Sequence, residues 1–495
     1  MPDVAIAAPN EQSASAGESV AAAGGNAIDA ALAASLVTMV NEVGIVSLSS
    51  GGFITVQPPD GSAPQTVDGW IDMPGRSQQL GGGTWDIHTA YGGGVDITIG
   101  PGSVGAHGSL AAFGEAHARW GSVPWREIVA PAIDVARSGF RLSAASRYYL
   151  EYVHDDIFGW DESSRAAVHD PAGEITTGLI VVPDLAGSLE EIAQHGPKAM
   201  YSGDLGRRIS DAVIARGGIL GRDDLEAYRA VTRPSLVTQV GDWTLGTNPP
   251  PSVGGVCVAA MLRLLDGRPH GDWTEDDVRH LIEVQRAVLG HRLAVFDHTD
   301  DLEAEARAYL DLIDADHLAV LESGSTAHVS ATDSDGGACS ITVSSGYSSG
   351  MIADGTGIWL NNCLGEVELN AHGLHGLAPG TRLLSNMAPT VGHDTNGAAL
   401  AIGSPGADRI TTAIVQALAG FASGGMNLQK AINHPRVHVH RARTPREEIK
   451  TETDLTMYYG GVAATLREPG GHMIAAADPR RDGAVRLVHA PDAVD

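Results

Sequence analysis

Hydrophobic and polar positions show their cleanest two-residue period where the chain reads Thr326-Ala327-His328-Val329-Ser330-Ala331-Thr332-Asp333. The segment turns at Asp333-Ser334-Asp335-Gly336-Gly337 and returns through Ala338, Cys339, Ser340, Ile341, Thr342, Val343 and Ser344. β-Branched residues around a glycine turn predict a hairpin. Centred near Asp335, it sets Thr326 opposite Ser344, and directly opposed residues lie about 4.5–5.5 Å apart. Upstream, Ile28, Leu32 and Leu36 repeat at helical spacing and predict an Ala-rich helix over 18–40, with Gly24-Gly25 as a turn before it or a tight packing site. Residues 51–56 predict a strand, 58–61 a turn, and 66–68 a return to the sheet. Helical patterns follow over 110–140, interrupted by Pro124 and Pro131, and over 184–194, 205–216, 276–296 and 301–321. Ala398–Ile402 predicts a buried strand that runs through Gly403-Ser404-Pro405-Gly406-Ala407 into a helix from Arg409 to Ala422. The pattern alone gives a mixed α/β chain.

Composition narrows the functions. With 60 acidic against 32 basic residues, the net charge of −28 disfavours nucleic acid and anionic lipid as partners. The apolar run from Ala30 to Val40 is too short to span a bilayer. No Lys or Arg precedes Arg76, so the basic region of a secretory leader is missing and a cytoplasmic protein is expected. Cys257, Cys339 and Cys363 are an odd number without metal spacing and predict reduced thiols. The glycine-rich run 92–105 lacks the Gly-Lys-Ser/Thr of a phosphate loop. His438-Val439-His440, with His434 nearby, puts two imidazoles on one strand face. No carboxylate or third histidine is locally spaced with that pair, so neither a metal nor another cofactor is expected.

The stretch Thr326-Ala327-His328-Val329-Ser330, followed by Asp333, resembles the processing-site signature of the γ-glutamyltransferases, which are N-terminal-nucleophile hydrolases. Further matches occur in the family's order: Ala23-Gly24-Gly25-Asn26-Ala27-Ile28-Asp29, Gly121-Ser122-Val123-Pro124-Trp125, Asn248-Pro249-Pro250-Pro251-Ser252, Leu360-Asn361-Asn362, Leu384-Ser385-Asn386-Met387 and Gly403-Ser404-Pro405-Gly406. The resemblance implies a four-layer αββα sandwich, cut between Ser325 and Thr326 into chains 1–325 and 326–495 that stay together as a heterodimer around one core. It implies Thr326 as nucleophile, Ser344 as its hydroxyl neighbour, Gly406 and Ala407 as the oxyanion hole, and Glu366, Ser385 and Asn386 as substrate contacts. It also sets Trp70 where the family's substrate-clamping Arg stands, with Arg76 and Arg382 as the nearest replacements.

The chemistry suits that pattern. A threonine hydroxyl is a poor nucleophile, but a cut before Thr326 frees an α-amine of pKa about 7.7–8.0, a base tethered to its own nucleophile. The reading is an amidase or acyltransferase that passes the acyl group of a small donor to water or an amine. An acylase for a different donor and a non-catalytic, unprocessed relative stay open, though Thr326, Ser344 and Gly406 together argue against the latter. Intact mass should reveal a fragment spanning 326–495, while Thr326→Ala should stay one chain. An uncut wild type that still hydrolyses amides would defeat the mechanism.

Overall fold

The computed structural model describes residues 1–77, 82–91, 94–313, 326–366, 369–406, 409–441 and 447–490. The strands of its two large sheets are β1 (Val4–Ala8), β2 (Gly51–Gln57), β3 (Gln65–Gly69), β4 (Val231–Pro234), β5 (Leu236–Val240), β6 (Trp243–Thr247), β7 (Ala327–Asp333), β8 (Ala338–Ser344), β9 (Thr390–Asp394), β10 (Ala399–Gly403), β11 (Ala463–Arg467), β12 (Met473–Ala477) and β13 (Ala484–Val488). The first sheet has seven strands in the order β13-β1-β7-β8-β2-β3-β4, the second six in the order β12-β11-β10-β9-β6-β5. The sheets face each other. Helices including Glu11–Ala22 and Ala27–Asn41 cover the first sheet, and Val253–Leu265 and Arg409–Leu418 cover the second. This is the four-layer αββα arrangement.

The hairpin register explains the layering. Thr342 pairs with His328 and Val343 with Ala327, so the ladder extended by one residue sets Thr326 opposite Ser344. Successive side chains in a strand point to opposite faces. Ala327, Val329, Ala331, Cys339, Ile341 and Val343 join the apolar cluster under the helices. The alternate set, His328, Ser330, Ser340 and Thr342, lies between the sheets, and its polar groups find partners there. Ser330 Oγ donates to the Ala463 carbonyl at 3.1 Å, and Ser340 Oγ to that of Ile402 at 2.9 Å. His328 Nδ1 lies 2.8 Å from Thr342 Oγ1, and its Nε2 lies 2.8 Å from Ser330 Oγ. Position 326 shares the parity of 328 and 330, so the place of Thr326, the expected nucleophile, is on this inter-sheet face.

The matched motifs act as braces. Asp333 accepts from the Gly337 amide at 2.8 Å and from the Ala27 amide at 3.1 Å, which pins the hairpin turn to a helix start. Asn26 caps that helix with Asp29 in a reciprocal box, and Asp29 also accepts from Ser122. That cap accounts for one difference from the sequence reading. The 18–40 helix is two helices, Glu11–Ala22 and Ala27–Asn41, because Gly24 holds φ +103° between them. Pro124 divides 110–140 into Ser109–Trp120 and Trp125–Ser138, whereas Pro131 sits inside the second helix without ending it. The helix expected at 301–321 runs from Leu302 to Ile313, and positions 314–321 lie outside the described residues. No described helix is long and apolar enough to cross a membrane.

Burial pushes the His328 pKa down to about 3 and that of His107 to about 4. An unfolded histidine titrates near 6.5, so in the window below that value the unfolded chain binds the extra protons. Stability is complete above about pH 6.5 and falls as the pH drops toward the folded values. Urea unfolding measured from pH 7 to pH 4 should therefore show an acid-driven loss that is shallower in His328→Gln. Identical slopes would remove His328 from the acid response.

Candidate active site

The loop after Ser344 gathers the acidic side of the site. The Gly346 amide donates to Ser344 Oγ at 3.0 Å. Gly346 holds φ +65°, and a Cβ there would collide with Asn362 Oδ1 and stand 3.1 Å from Glu366 Oε1. The Glu366 carboxylate is thus carried to within a side-chain diameter of the turn two residues beyond Ser344. A larger residue at 346 would have to displace Asn362. The paired asparagines hold the frame. Asn361 Nδ2 donates to the carbonyls of Ser49 and Gly105, and Asn362 Oδ1 accepts from the Tyr347 amide at 2.5 Å. Cys363 lies against Glu366, and burial raises its thiol pKa well above the usual range. All three cysteines are free and buried.

On the opposite side, the end of β10 lies against the start of β7. A Cβ on Gly403 would collide with the His328 imidazole. Pro405 lines the same small cavity as Ala327 and His328. Gly406 holds φ +122°, and a Cβ there would meet Gly460 Cα at 2.8 Å, so this turn requires glycine. Ala407, expected to complete the oxyanion hole, and Ser325, the residue before the cut, lie outside the described residues.

Ser385 and Asn386 are held from two directions. The proline-rich motif grips their backbone. Asn248 Nδ2 and Ser252 Oγ donate to the Met387 carbonyl at 2.7 and 3.0 Å, while the Val253 and Gly254 amides both donate to the Ser385 carbonyl at 3.0 Å. Ser385 Oγ accepts from the Met387 amide at 3.2 Å. Asn386 is 4% exposed, and among the described residues neither Oδ1 nor Nδ2 of its amide has a hydrogen-bond partner.

Trp70, expected to face the donor, is a packing residue. Its ring stacks on Phe53 with centroids 6.3 Å apart, and a Cβ on Gly51, the ladder partner of Ser344, would stand 2.7 Å from it. Its indole N–H donates to the Leu384 carbonyl at 2.8 Å, so it braces the Ser385–Asn386 segment from behind. Arg382 is fully engaged. Its guanidinium contacts Asp72 at 2.6 Å, Asp68 at 2.6 Å and the Arg229 carbonyl at 2.9 Å, and lies over the Tyr228 ring. Burial raises the Asp72 carboxyl pKa, and the guanidinium opposes that rise. Arg76 is exposed and rests against Gly380. His438 Nδ1 lies 3.1 Å from Thr412 Oγ1, on the strand Val437–Arg441 far along the chain from Thr326.

A hydroxyl pair at the open end of the hairpin, a glycine turn at the end of β10 and a buried carboxylate near the loop after Ser344 are the parts of an amide-cleaving site. The gamma-glutamyltranspeptidase sequence profile matches residues 13–489, and the chain belongs to that family. It is 27% identical to the glutathione hydrolase proenzyme of Escherichia coli (strain K12), over 92% of this chain and 87% of that protein. It is 28% identical to the acylase ACY 1 proenzyme of Pseudomonas sp. (strain V22), over 94% and 90%. Its fold resembles that of a cephalosporin acylase from Bacillus halodurans, with a TM-score of 0.77 at 20% identity over 98% of this chain and 96% of that one. It also resembles the gamma-glutamyltranspeptidase from Pseudomonas nitroreducens, at TM-score 0.52 and 22% identity over 63% and 93%. The protein is accordingly an enzyme, a γ-glutamyltransferase-like amidase and acyltransferase acting on small molecules.

Ser344→Ala should lower turnover by about 10- to 10³-fold without unfolding the protein, approaching the loss seen for one transition-state donor. Unchanged turnover would separate Ser344 from Thr326. Trp70→Ala should cost about 3–5 kcal/mol of stability through the cavity it leaves. A melting temperature equal to wild type would contradict the packing role.

Proposed function

We propose that the enzyme cuts itself before Thr326 and then works as an acylase for small donors that carry no α-carboxylate beside the acyl chain. The freed α-amine of Thr326 takes the proton from its own hydroxyl as the oxygen attacks the donor's amide carbon. Ser344 keeps the hydroxyl oriented. Backbone N–H groups at the Gly406–Ala407 turn receive the oxyanion, because that turn joins a buried strand to a helix start, where amides point outward unpaired. The amine returns the proton to the leaving nitrogen, and the C–N bond breaks to leave an ester on Thr326. Water or an incoming amine then attacks the ester, with the same amine as base. Glu366 pairs with a cationic group on the donor, and the Asn386 amide fixes a polar group beside it.

The observation that carries the donor assignment is the Arg382 guanidinium, held at 2.6 Å by both Asp68 and Asp72 while Trp70 fills the matching position with packed indole. A carboxylate buried there without a cation costs several kcal/mol. Lysines do not replace it: Lys430 pairs with Asp272, Lys450 with Glu448, and Lys198 is exposed. A γ-glutamyl donor has both the amine and the carboxylate, and 4-aminobutyryl anilide has the amine alone. Glutaryl anilide has the carboxylate alone. We expect kcat/KM for 4-aminobutyryl anilide to exceed that for γ-glutamyl anilide by about tenfold or more, the equivalent of about 1.4 kcal/mol, with glutaryl anilide poorest. A strong preference for γ-glutamyl anilide that Arg76→Ala erases would move the clamp to Arg76 and restore γ-glutamyl transfer as the function.

A further inference from the structure

We infer that His154, Asp155 and His169 form a binding site for a divalent ion of the zinc type, separate from the acyl-transfer machinery. His154 and Asp155 lie near the end of the helix Ala144–Phe158, and His169 directly follows the helix Glu162–Val168. Among the described residues this group brings three donor atoms within 4.8 Å of one another. His154 Nδ1 is 2.9 Å from His169 Nε2, and Asp155 Oδ1 is 3.5 Å from the first and 3.7 Å from the second. Points with those separations lie on a circle of radius about 2.0 Å. An ion just off its centre meets all three at zinc–nitrogen and zinc–oxygen bond lengths of about 2.0–2.2 Å.

The surroundings select the right tautomer. His169 Nδ1 lies 3.1 Å from the Arg165 carbonyl oxygen, which can only accept, so that nitrogen carries the hydrogen. Nε2 is left with its lone pair toward the cluster, the arrangement that orients ligating histidines. The His169 side chain is 3% exposed and that of Asp155 is 80% exposed. One ligand is therefore anchored and another is a solvent-side arm, leaving a fourth position for water. Two imidazoles and one carboxylate suit zinc, and cobalt as its substitute. The two rings now meet along a shared hydrogen bond. With the ion bound, His154 ligates through Nδ1 and carries its single hydrogen on Nε2, and both rings tilt out of that line. The result is a clasp between a helix end and the segment after the next helix. Tyr149, earlier on the first helix, donates its hydroxyl to the Tyr347 carbonyl at 2.6 Å, so the clasp stiffens the wall behind the loop that follows Ser344.

The test uses the full chain, stripped with chelator, dialysed and titrated with zinc by calorimetry. A parallel cobalt titration follows the visible absorption of a four-coordinate ion. Wild type should take up one equivalent and melt at a higher temperature with zinc. Asp155→Asn, an exposed change that the fold tolerates, should bind about tenfold more weakly or worse. His154→Ala should lose both the cobalt band and the thermal shift. The inference is overturned if wild type takes up no zinc, or if Asp155→Asn and His154→Ala bind it as wild type does.

Discussion

A slip of one residue in the β7–β8 pairing would exchange the two faces of the hairpin. Val329, Ile341 and Val343 would then turn away from the helices, and His328, Ser330 and Ser340 would enter an apolar layer that offers them no partners. The penalty for burying those polar groups unpaired is paid several times over in such a slip, so the register is set by the inter-sheet layer as much as by the turn. Every feature of the site inherits that constraint. It puts Thr326 opposite Ser344, sets Ser344 beside Gly51, and leaves Gly51 no room for a side chain because Trp70 packs on it. Trp70 in turn holds the Leu384 carbonyl, and with it the stretch that presents Asn386.

The hairpin was legible because it is local. Period-2 alternation and a glycine turn suffice to place two strands and their register, and the family motifs fall along the chain in the order needed to brace them. Long-range pairings were less accessible. β1 and β13 lie at opposite ends of the chain yet are hydrogen-bonded neighbours, and their short apolar runs have no turn between them to announce the contact. The division of the 18–40 helix turns on two residues, Gly24, whose φ of +103° breaks the run, and Asn26, whose side chain gives a new helix its first-turn amides a partner.

In the site, residue identity gave the candidates and geometry separated their roles. Trp70 stands where the family pattern changes, and Asn386 lies in a matched motif. The fold packs the indole on Phe53 and leaves the amide without a partner among the described residues. Arg382 was a plausible clamp by proximity in sequence. Its capture by Asp68 and Asp72 is a three-body arrangement with partners some 310 positions away, and no local pattern reports it. Gly346 has the opposite history. No local pattern marks it, whereas the fold makes it the opening through which Glu366 approaches.

The strand order also bears on how the two halves of a cut chain would part. β1, from the first half, is hydrogen-bonded on one edge to β7 and on the other to β13, both from the second. In the second sheet β6, from the first half, joins β9 from the second. Neither piece has an intact sheet of its own to retreat to. Dilution alone would therefore leave them joined, since separation requires both sheets to unzip, and pieces released by denaturant would have lost the connection that first brought them into register. A cut before Thr326 would turn such an architecture into a one-way ratchet: folding would have to come first and the cut second, and the joined pieces would keep a shape that they have no ready path to regain once parted.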